Sequence, residues 1–368
     1  MIRELGRKVL SFFRKKRLVE IVPFDTLFPG VEKIWIVPPQ EVPTPEAVDM
    51  EFVPGVAHYR QPVYRTPGVF AAILHDVLYC PANNVILTEQ GQVLAESIST
   101  IPRPEYLDHY ALSARRIERI RGPAAALRSV HNQFYHALID NPPRLWALGH
   151  PALAHLGAIE LLLRDGPTPL EQYILRGLRP PNVVVRRLKR RRLYRIDTFV
   201  FVSFMNRRHA ACLDPVYLEA FRRAFCPDRP RRPRHRIYIS RAGRTRGTRR
   251  VLNEPEVVAE LERWGFRAYL LEELSFEAQA ELFYDAEMVV GAHGAGFANL
   301  IYARGAKVLE WFPSPHVVPS YYFLCKATGN LYFRRHASES WRDRDFVIDL
   351  DVLRQALDEM TTSQRHGG

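Results

Sequence analysis

The sequence predicts an α/β protein whose later half is a parallel β-sheet covered on both faces by helices. Two observations carry this. After residue 234, short apolar runs alternate with helical patterns through short loops, the order that builds a parallel sheet. Before that point, the arginine-rich stretch 229–234, stiffened by Pro230 and Pro233, separates the regular pattern from a less regular one. It marks the domain boundary.

The later elements follow in order. Residues 237–240 are an apolar strand. Asn253-Glu-Pro-Glu256 opens a helix, with Asn253 as cap, Pro255 in the first turn and Glu256 three after the cap. Residues 266–271 form a strand, and 275–284 a helix capped by Ser275. Residues 287–290 form a strand, 291–296 a glycine loop, 297–303 a helix and 307–311 a strand. In such sheets ligands bind beyond the carboxyl ends of the strands. Three loops reach that edge: 240–250, 291–296 and the segment after Glu310.

The earlier half is less periodic. Residues 1–19 carry a basic amphipathic helix, with Ile2, Leu5, Val9, Phe12 and Phe13 on one stripe and basic residues around it. Such a helix suits an anionic membrane surface or docks on the protein itself. Residues 20–55 are proline-rich and irregular. Short strands are expected over 69–74, 76–80, 85–88 and 92–95, and helices over 104–120, 131–140 and 214–225. Asn141-Pro-Pro143 is expected to stop the helix before it. Further strands are expected at 183–185 and 199–204. The boundaries are therefore 20–228 for the first domain, 235–335 for the second, and 336–368 for a closing helix and tail that packs back toward the first.

Composition bounds the function classes. The 368 residues are 47% hydrophobic and 25% charged, which excludes disorder, collagen and coiled coil for the bulk of the chain. Lys and Arg number 52 against 40 Asp and Glu, a net charge of +12. The excess is mostly arginine, which suits bidentate anions such as phosphate. The basic runs lack interleaved aromatics, so an RNA-stacking surface is not supported. Cys80, Cys212, Cys226 and Cys325 are scattered, with no disulfide framework or zinc spacing. No run suits a membrane span or a secretory signal. A cytoplasmic setting is expected.

Two constellations carry chemistry. Gly291-Ala-His-Gly-Ala-Gly296 follows a strand and opens a helix. Glycines admit close approach by a ligand, and a helix amino end favours phosphate. His293 can contact phosphate or a sugar hydroxyl. Arg241, with Arg249 or Arg250, suits a diphosphate at the end of the first strand. Asn253 and Glu256 read first as capping residues and second as ligands. Glu310 ends a buried strand and needs a partner, either ribose hydroxyls or an internal arginine. In the first half, Asn132, His136 and Asp140 are spaced for one helical face. His136 can take a proton from a hydroxyl, oriented by Asp140 or Asn132; a hydrogen-bonded core histidine is the competing reading.

At these residues the sequence resembles glycosyltransferase family 61, of the capsular polysaccharide biosynthesis type. The stretch from Asn132 to Leu145, with His136, Asp140 and Pro143-Arg144-Leu145, is similar to the family's Asn-aromatic-His…Leu-Pro-Arg-Leu pattern. Ile237-Tyr-Ile-Ser-Arg241 with Arg249-Arg-Val-Leu-Asn-Glu254 is similar to a second pattern. Gln279, Ala286-Glu287, His293-Gly-Ala-Gly296, Asn299 and Glu310 follow the order of a third. The chain departs at Ala137, where tryptophan is common, and in the long arginine-rich loop 241–249.

The resemblance implies a GT-B fold, two Rossmann-like domains facing across a cleft, and an inverting transfer from a nucleotide-sugar to a glycan or lipid-linked acceptor. His136 would be the catalytic base, with Asp140 second. Arg241, Arg249, Asn253, His293, the Gly294-Ala295-Gly296 backbone, Asn299 and Glu310 would bind the donor. Asn132 and Arg144 would lie on the acceptor side. No metal or other cofactor is expected. The setting would be the inner face of the cytoplasmic membrane. The rival readings are a non-catalytic GT-B module that binds sugar-nucleotide and a basic nucleic-acid-binding protein.

Overall fold

The computed structural model describes residues 19–112, 116–242, 249–337 and 344–363. The amphipathic segment 1–17 and most of the arginine-rich loop, 243–248, lie outside the described residues. The fold is α/β, built on two main sheets.

The first sheet has nine described strands and is mixed. Its longest strand, Val69–Cys80, runs antiparallel to Leu193–Val202, Val85–Leu87 and Ile34–Val37. Beyond Leu193–Val202 the direction changes. Ile117–Ala126, Ile159–Arg164 and Val183–Leu188 add on in parallel. The short expected strands 69–74 and 76–80 are therefore one strand, which crosses Asp76 at a positive φ of 53°. The helix expected over 104–120 is not formed. Among its described residues are a short helix, His109–Leu112, and the start of the strand Ile117–Ala126. The Glu, Arg and Ala of this stretch favour helix locally, but pairing on both edges in the sheet overrides that preference.

The segment 131–140 ends in a π-turn, His136–Asp140, closed by Asn141 N–H donating to the His136 carbonyl at 2.9 Å. The helical segment ends at Asp140, before Asn141-Pro-Pro143, as expected. Pro142 and Pro143 open the next helix, Pro142–Ala147, where their missing donors cost nothing.

The second sheet is wholly parallel. Its strands are β1 (His235–Ile239), β2 (Phe266–Tyr269), β3 (Ala286–Ala292), β4 (Lys307–Phe312) and β5 (Leu331–His336), in the spatial order β2-β1-β3-β4-β5. Helices α1 (Glu254–Arg263), α2 (Phe276–Tyr284), α3 (Ser320–Thr328) and α4 (Leu350–Thr362) cover its faces. Ser275 caps α2 through Ala278 N–H, as expected. α4 packs on this sheet, with Leu353, Leu357 and Met360 against Val257, Val290 and Trp311. It does not turn back to the first half, because its apolar stripe is consumed here.

The stretch 229–234 is pinned rather than free. Arg229 forks onto the buried Asp285 at the end of α2, and Arg232 N–H donates to the same carboxylate at 2.8 Å. One apolar core runs through both halves, joining Tyr135, Ile139 and Phe221 to Phe297, Tyr302 and Tyr321. Residues 47–59 of the irregular opening segment also pack on the second half, against Phe312, Val317 and Phe323.

Candidate functional site

In the order β2-β1-β3-β4-β5 the chain reverses its direction of growth between β1 and β3, and the connections leave on opposite faces. This opens a crevice at the carboxyl ends of those strands. A pocket of about 270 Å³ lies there. Its walls are Ile239, Leu271 and Phe276 on the apolar side, and Arg241, Gln279 and Asn299 on the polar side, with Gly294–Gly296 as backbone. Phe134 of the first half closes one edge.

The glycines serve close approach. Gly294 has an ordinary extended φ of −179°, but a Cβ there would lie 2.5 Å from Arg241 Nη1. A Cβ on Gly296 would lie 3.0 Å from both Ile239 and Leu271. The loop is thus pressed between strand β1 and the turn after β2. Arg241 arches over it and donates from Nη1 to the His293 carbonyl at 2.8 Å. The short 3₁₀ helix Ala295–Ile301 starts at Gly294 with no side-chain cap.

His293 stands beside this loop. Its Nδ1 meets Glu310 Oε1 at 2.5 Å, and Tyr332 OH donates to Glu310 Oε2 at 2.6 Å. The ring stacks on Phe312 at 5.1 Å. Glu310 is fully buried, and both its oxygens are engaged. The carboxylate expected to meet ribose hydroxyls thus meets an imidazole and a phenol within the protein.

The first half repeats the arrangement. His136 Nδ1 meets Asp140 Oδ2 at 2.6 Å across the π-turn, and Asn206 Nδ2 approaches Asp140 Oδ1 at 3.5 Å. No described residue bonds His136 Nε2. The His131 ring stacks on His136 at 5.6 Å. Burial, with the neighbouring His136, holds the His131 pKa below its ordinary value. His209 is shifted the same way, by burial first, and lies within Coulombic reach of Asp140, His136, His131 and His293. The two histidine–carboxylate pairs are joined by a file of rings: His136 to Tyr135 at 5.2 Å, Tyr135 to Tyr321 at 5.9 Å, Tyr321 to His293 at 5.6 Å. Burial and Glu310 push the Tyr321 phenol up, against the pull of Arg249 and Arg241.

The remaining expected residues divide. Arg249, at a φ of 71°, sends its field to Tyr321, whereas Arg250 is held by Asp345 at 2.9 Å and 2.7 Å. Asn299 lines the pocket, but its amide donates to Gln279 Oε1 and the Gly296 carbonyl, so it braces the loop. Asn253 stands at the N-cap position of α1, as expected, but its side chain makes no cap hydrogen bond and does not line the pocket: it exchanges two hydrogen bonds with the Ile348 backbone. Arg144 is buried under the carbonyls of Val202, Leu127 and Arg128, stacked 4.4 Å from Phe204, and burial draws its pKa down to about 10. It holds the chain rather than an acceptor. Asn132 donates to Glu171 and accepts from Asn141, and among the described residues Asp140 is the hydrogen-bond partner of His136 Nδ1.

Sequence reasoning did not single out His131, His209, Tyr321 or Tyr332. His131 begins the same stretch as His136, and Tyr321 lies in the expected segment after Glu310. His209 and Tyr332 act with groups too remote in sequence to be read. Among the described residues, no three His, Cys, Asp or Glu gather to hold a metal, and no helix is long and apolar enough to cross a membrane.

The family model of glycosyltransferase 61 matches residues 134–309. Over this span the chain is similar to that family. It contains His136, Asp140, Arg241 and the glycine loop, so the residues gathered at the two imidazole pairs and the pocket are largely those of the matched glycosyltransferase 61 span. No curated protein matches the chain at a significant level.

Proposed function

We propose that this chain is a glycosyltransferase of family 61, an inverting, GT-B enzyme that transfers a sugar from a nucleotide-sugar to a hydroxyl of a glycan or glycolipid in bacterial capsule, lipopolysaccharide or exopolysaccharide assembly. The single observation that carries it is the placement of His136, with its Nδ1 held by Asp140, on the ring file that leads to the Arg241–glycine loop pocket.

The roles follow from that placement. Asp140 accepts from Nδ1–H, which leaves the Nε2 lone pair as base. The acceptor oxygen attacks the anomeric carbon while His136 Nε2 takes its proton. The bond from that carbon to the phosphate oxygen breaks, and the nucleoside diphosphate leaves with the electron pair. Arg241, Arg249 and the backbone of Gly294–Gly296 stabilise its growing charge. His293, its Nδ1–H donating to Glu310, presents the Nε2 lone pair to a sugar hydroxyl of the donor. Guanidinium and backbone groups supply this stabilisation without a metal, so a chelator leaves the rate unchanged. Residues 1–17 bring the enzyme to the anionic inner membrane face, where a lipid-linked acceptor is met.

Steady-state transfer with separate measurement of nucleotide affinity tests this. His136→Ala lowers kcat by about 10²–10⁴ with nucleotide affinity retained. Full activity in both His136→Ala and Asp140→Asn removes the base assignment. A module that only binds sugar-nucleotide shows no turnover in any form.

A further inference from the structure

The geometry points to a saccharide-binding subsite on the surface beside His136: we propose that the acceptor is recognised by its sugar, whose ring lies on the exposed face of Tyr106 while its hydroxyls bond to His131, and that it reaches His136 from this side. This rests on the base assignment above and narrows the acceptor class to a group read through its saccharide rather than through a lipid.

Three rings step inward from the surface. Tyr106 is 41% exposed, and its ring meets the His131 ring edge-on at 5.1 Å. His131 is half-buried and stacks on His136 at 5.6 Å. The His136 side chain is only 12% exposed. Burial thus deepens step by step toward the base. The outer ring is held in place. Tyr106 belongs to the turn Pro104–Tyr106, whose Pro104 carbonyl accepts from Leu107 N–H at 3.1 Å and from His109 Nε2 at 3.0 Å. Leu107 is buried in the cluster of Leu78 and Val85. Asn83 exchanges two hydrogen bonds with the Asp108 backbone. Tyr106 is therefore an exposed aromatic on an anchored turn, in ring contact with the file that ends at the base.

The chemistry of these groups selects the ligand. A sugar ring has an apolar face of C–H groups and a rim of hydroxyls. An aromatic face desolvates the first, and groups that both donate and accept satisfy the second. Tyr106 supplies the face. His131 makes no hydrogen bond with a described residue. Burial, with the neighbouring His136, holds its pKa below the ordinary value, so at neutral pH one ring nitrogen donates and the other accepts. Beside Asp140, the buried Asn206 Oδ1 also lacks a partner among the described residues, and a buried polar oxygen calls for a donor. Arg103 and Glu105 flank Tyr106 and are exposed. Charges of both signs there disfavour an acyl chain, which would bury them unpaired, and suit a hydroxyl-rich ligand.

The test titrates the full chain with mono- to tetrasaccharides of glucose, galactose, mannose, xylose and N-acetylglucosamine, followed by saturation-transfer NMR, with UDP, GDP, CDP and ADP titrated in parallel. At least one saccharide is expected to bind without a lipid tail. Tyr106→Ala is expected to weaken it about three- to tenfold, the size of one aromatic contact, and Tyr106→Phe to keep it within about twofold of the unaltered chain. Melting temperature and nucleotide affinity are expected to stay those of the unaltered chain in both variants, since Tyr106 is exposed and does not line the nucleotide pocket. Failure of every saccharide to bind overturns the proposal and leaves the donor-site reading to the nucleotide titrations. Saccharide binding that survives Tyr106→Ala overturns it as well, as does binding seen only with octyl glycosides of the same sugars. A saccharide bound through Tyr106 when no nucleotide binds upholds the subsite and removes the donor-site reading, so the two failures are distinct.

Discussion

At the level of single side chains the site uses one device twice: an imidazole whose Nδ1 is held by a carboxylate, His136 by Asp140 and His293 by Glu310. The carboxylate fixes the tautomer that leaves Nε2 as an acceptor. Asp140→Asn therefore lowers kcat with little effect on nucleotide affinity, whereas Gly294→Ala acts on the other quantity. A Cβ at Gly294 collides with Arg241 Nη1, so that substitution weakens nucleotide binding while circular dichroism and melting remain near those of the unaltered chain. Unchanged affinity in Gly294→Ala would show that the arginine does not work from where it lies. The residues of this device were legible in sequence because histidine, glycine and arginine stand in compact motifs. The tasks of Glu310, Asn132, Arg144 and Asn253 were not legible. Their partners Tyr332, Glu171, Val202 and Ile348 lie tens of residues away, and no local spacing encodes them.

At the level of elements, short-range chemistry explains where some helices start. Ser275 caps α2, and Thr168 with Glu171 forms a reciprocal capping box on the helix Pro169–Leu178. Glu171 does more than cap. It receives a two-pronged guanidinium from the buried Arg128 at 2.6 Å, and Asn132 also donates to it. Removing it strands a buried cation. Glu171→Ala is expected to destabilise the fold by about 3–5 kcal/mol in denaturant titration, against about 1 kcal/mol for Ser275→Ala. Similar small losses in both would mean that Arg128 finds another partner. The later strands and helices were readable because loops there are short and the apolar runs are continuous. The strand Ile117–Ala126 was hidden, since its Glu, Arg and Ala are helix formers placed in a sheet by pairing alone. Asn141-Pro-Pro143 ends the segment before it as read, but that the same prolines open the helix Pro142–Ala147 was not legible, because proline suits a helix start as well as a helix stop.

At the level of the whole molecule, the shared core sets the two sheets against each other and brings a motif near residue 136 to one near residue 293. The cost is histidine burial at the junction. His131 and His209 have folded pKa values below the ordinary 6.5, each through burial first. As pH falls through about 6.5 the unfolded chain takes up these protons before the folded one, so stability present above that value is lost on acidification. The melting temperature is expected to drop between pH 7.5 and pH 5, and by less in His131→Gln combined with His209→Gln. A drop of the same size in both would place the acid sensitivity elsewhere. The claim on which the mechanism depends is that the crevice between β1 and β3 holds a diphosphate under Arg241. Titration of nucleoside diphosphates into the unaltered chain and into Arg241→Ala addresses it most directly. Saturable binding of at least one nucleotide, weakened tenfold or more by Arg241→Ala, is the predicted result. Binding that is absent, or indifferent to the loss of Arg241, would contradict it.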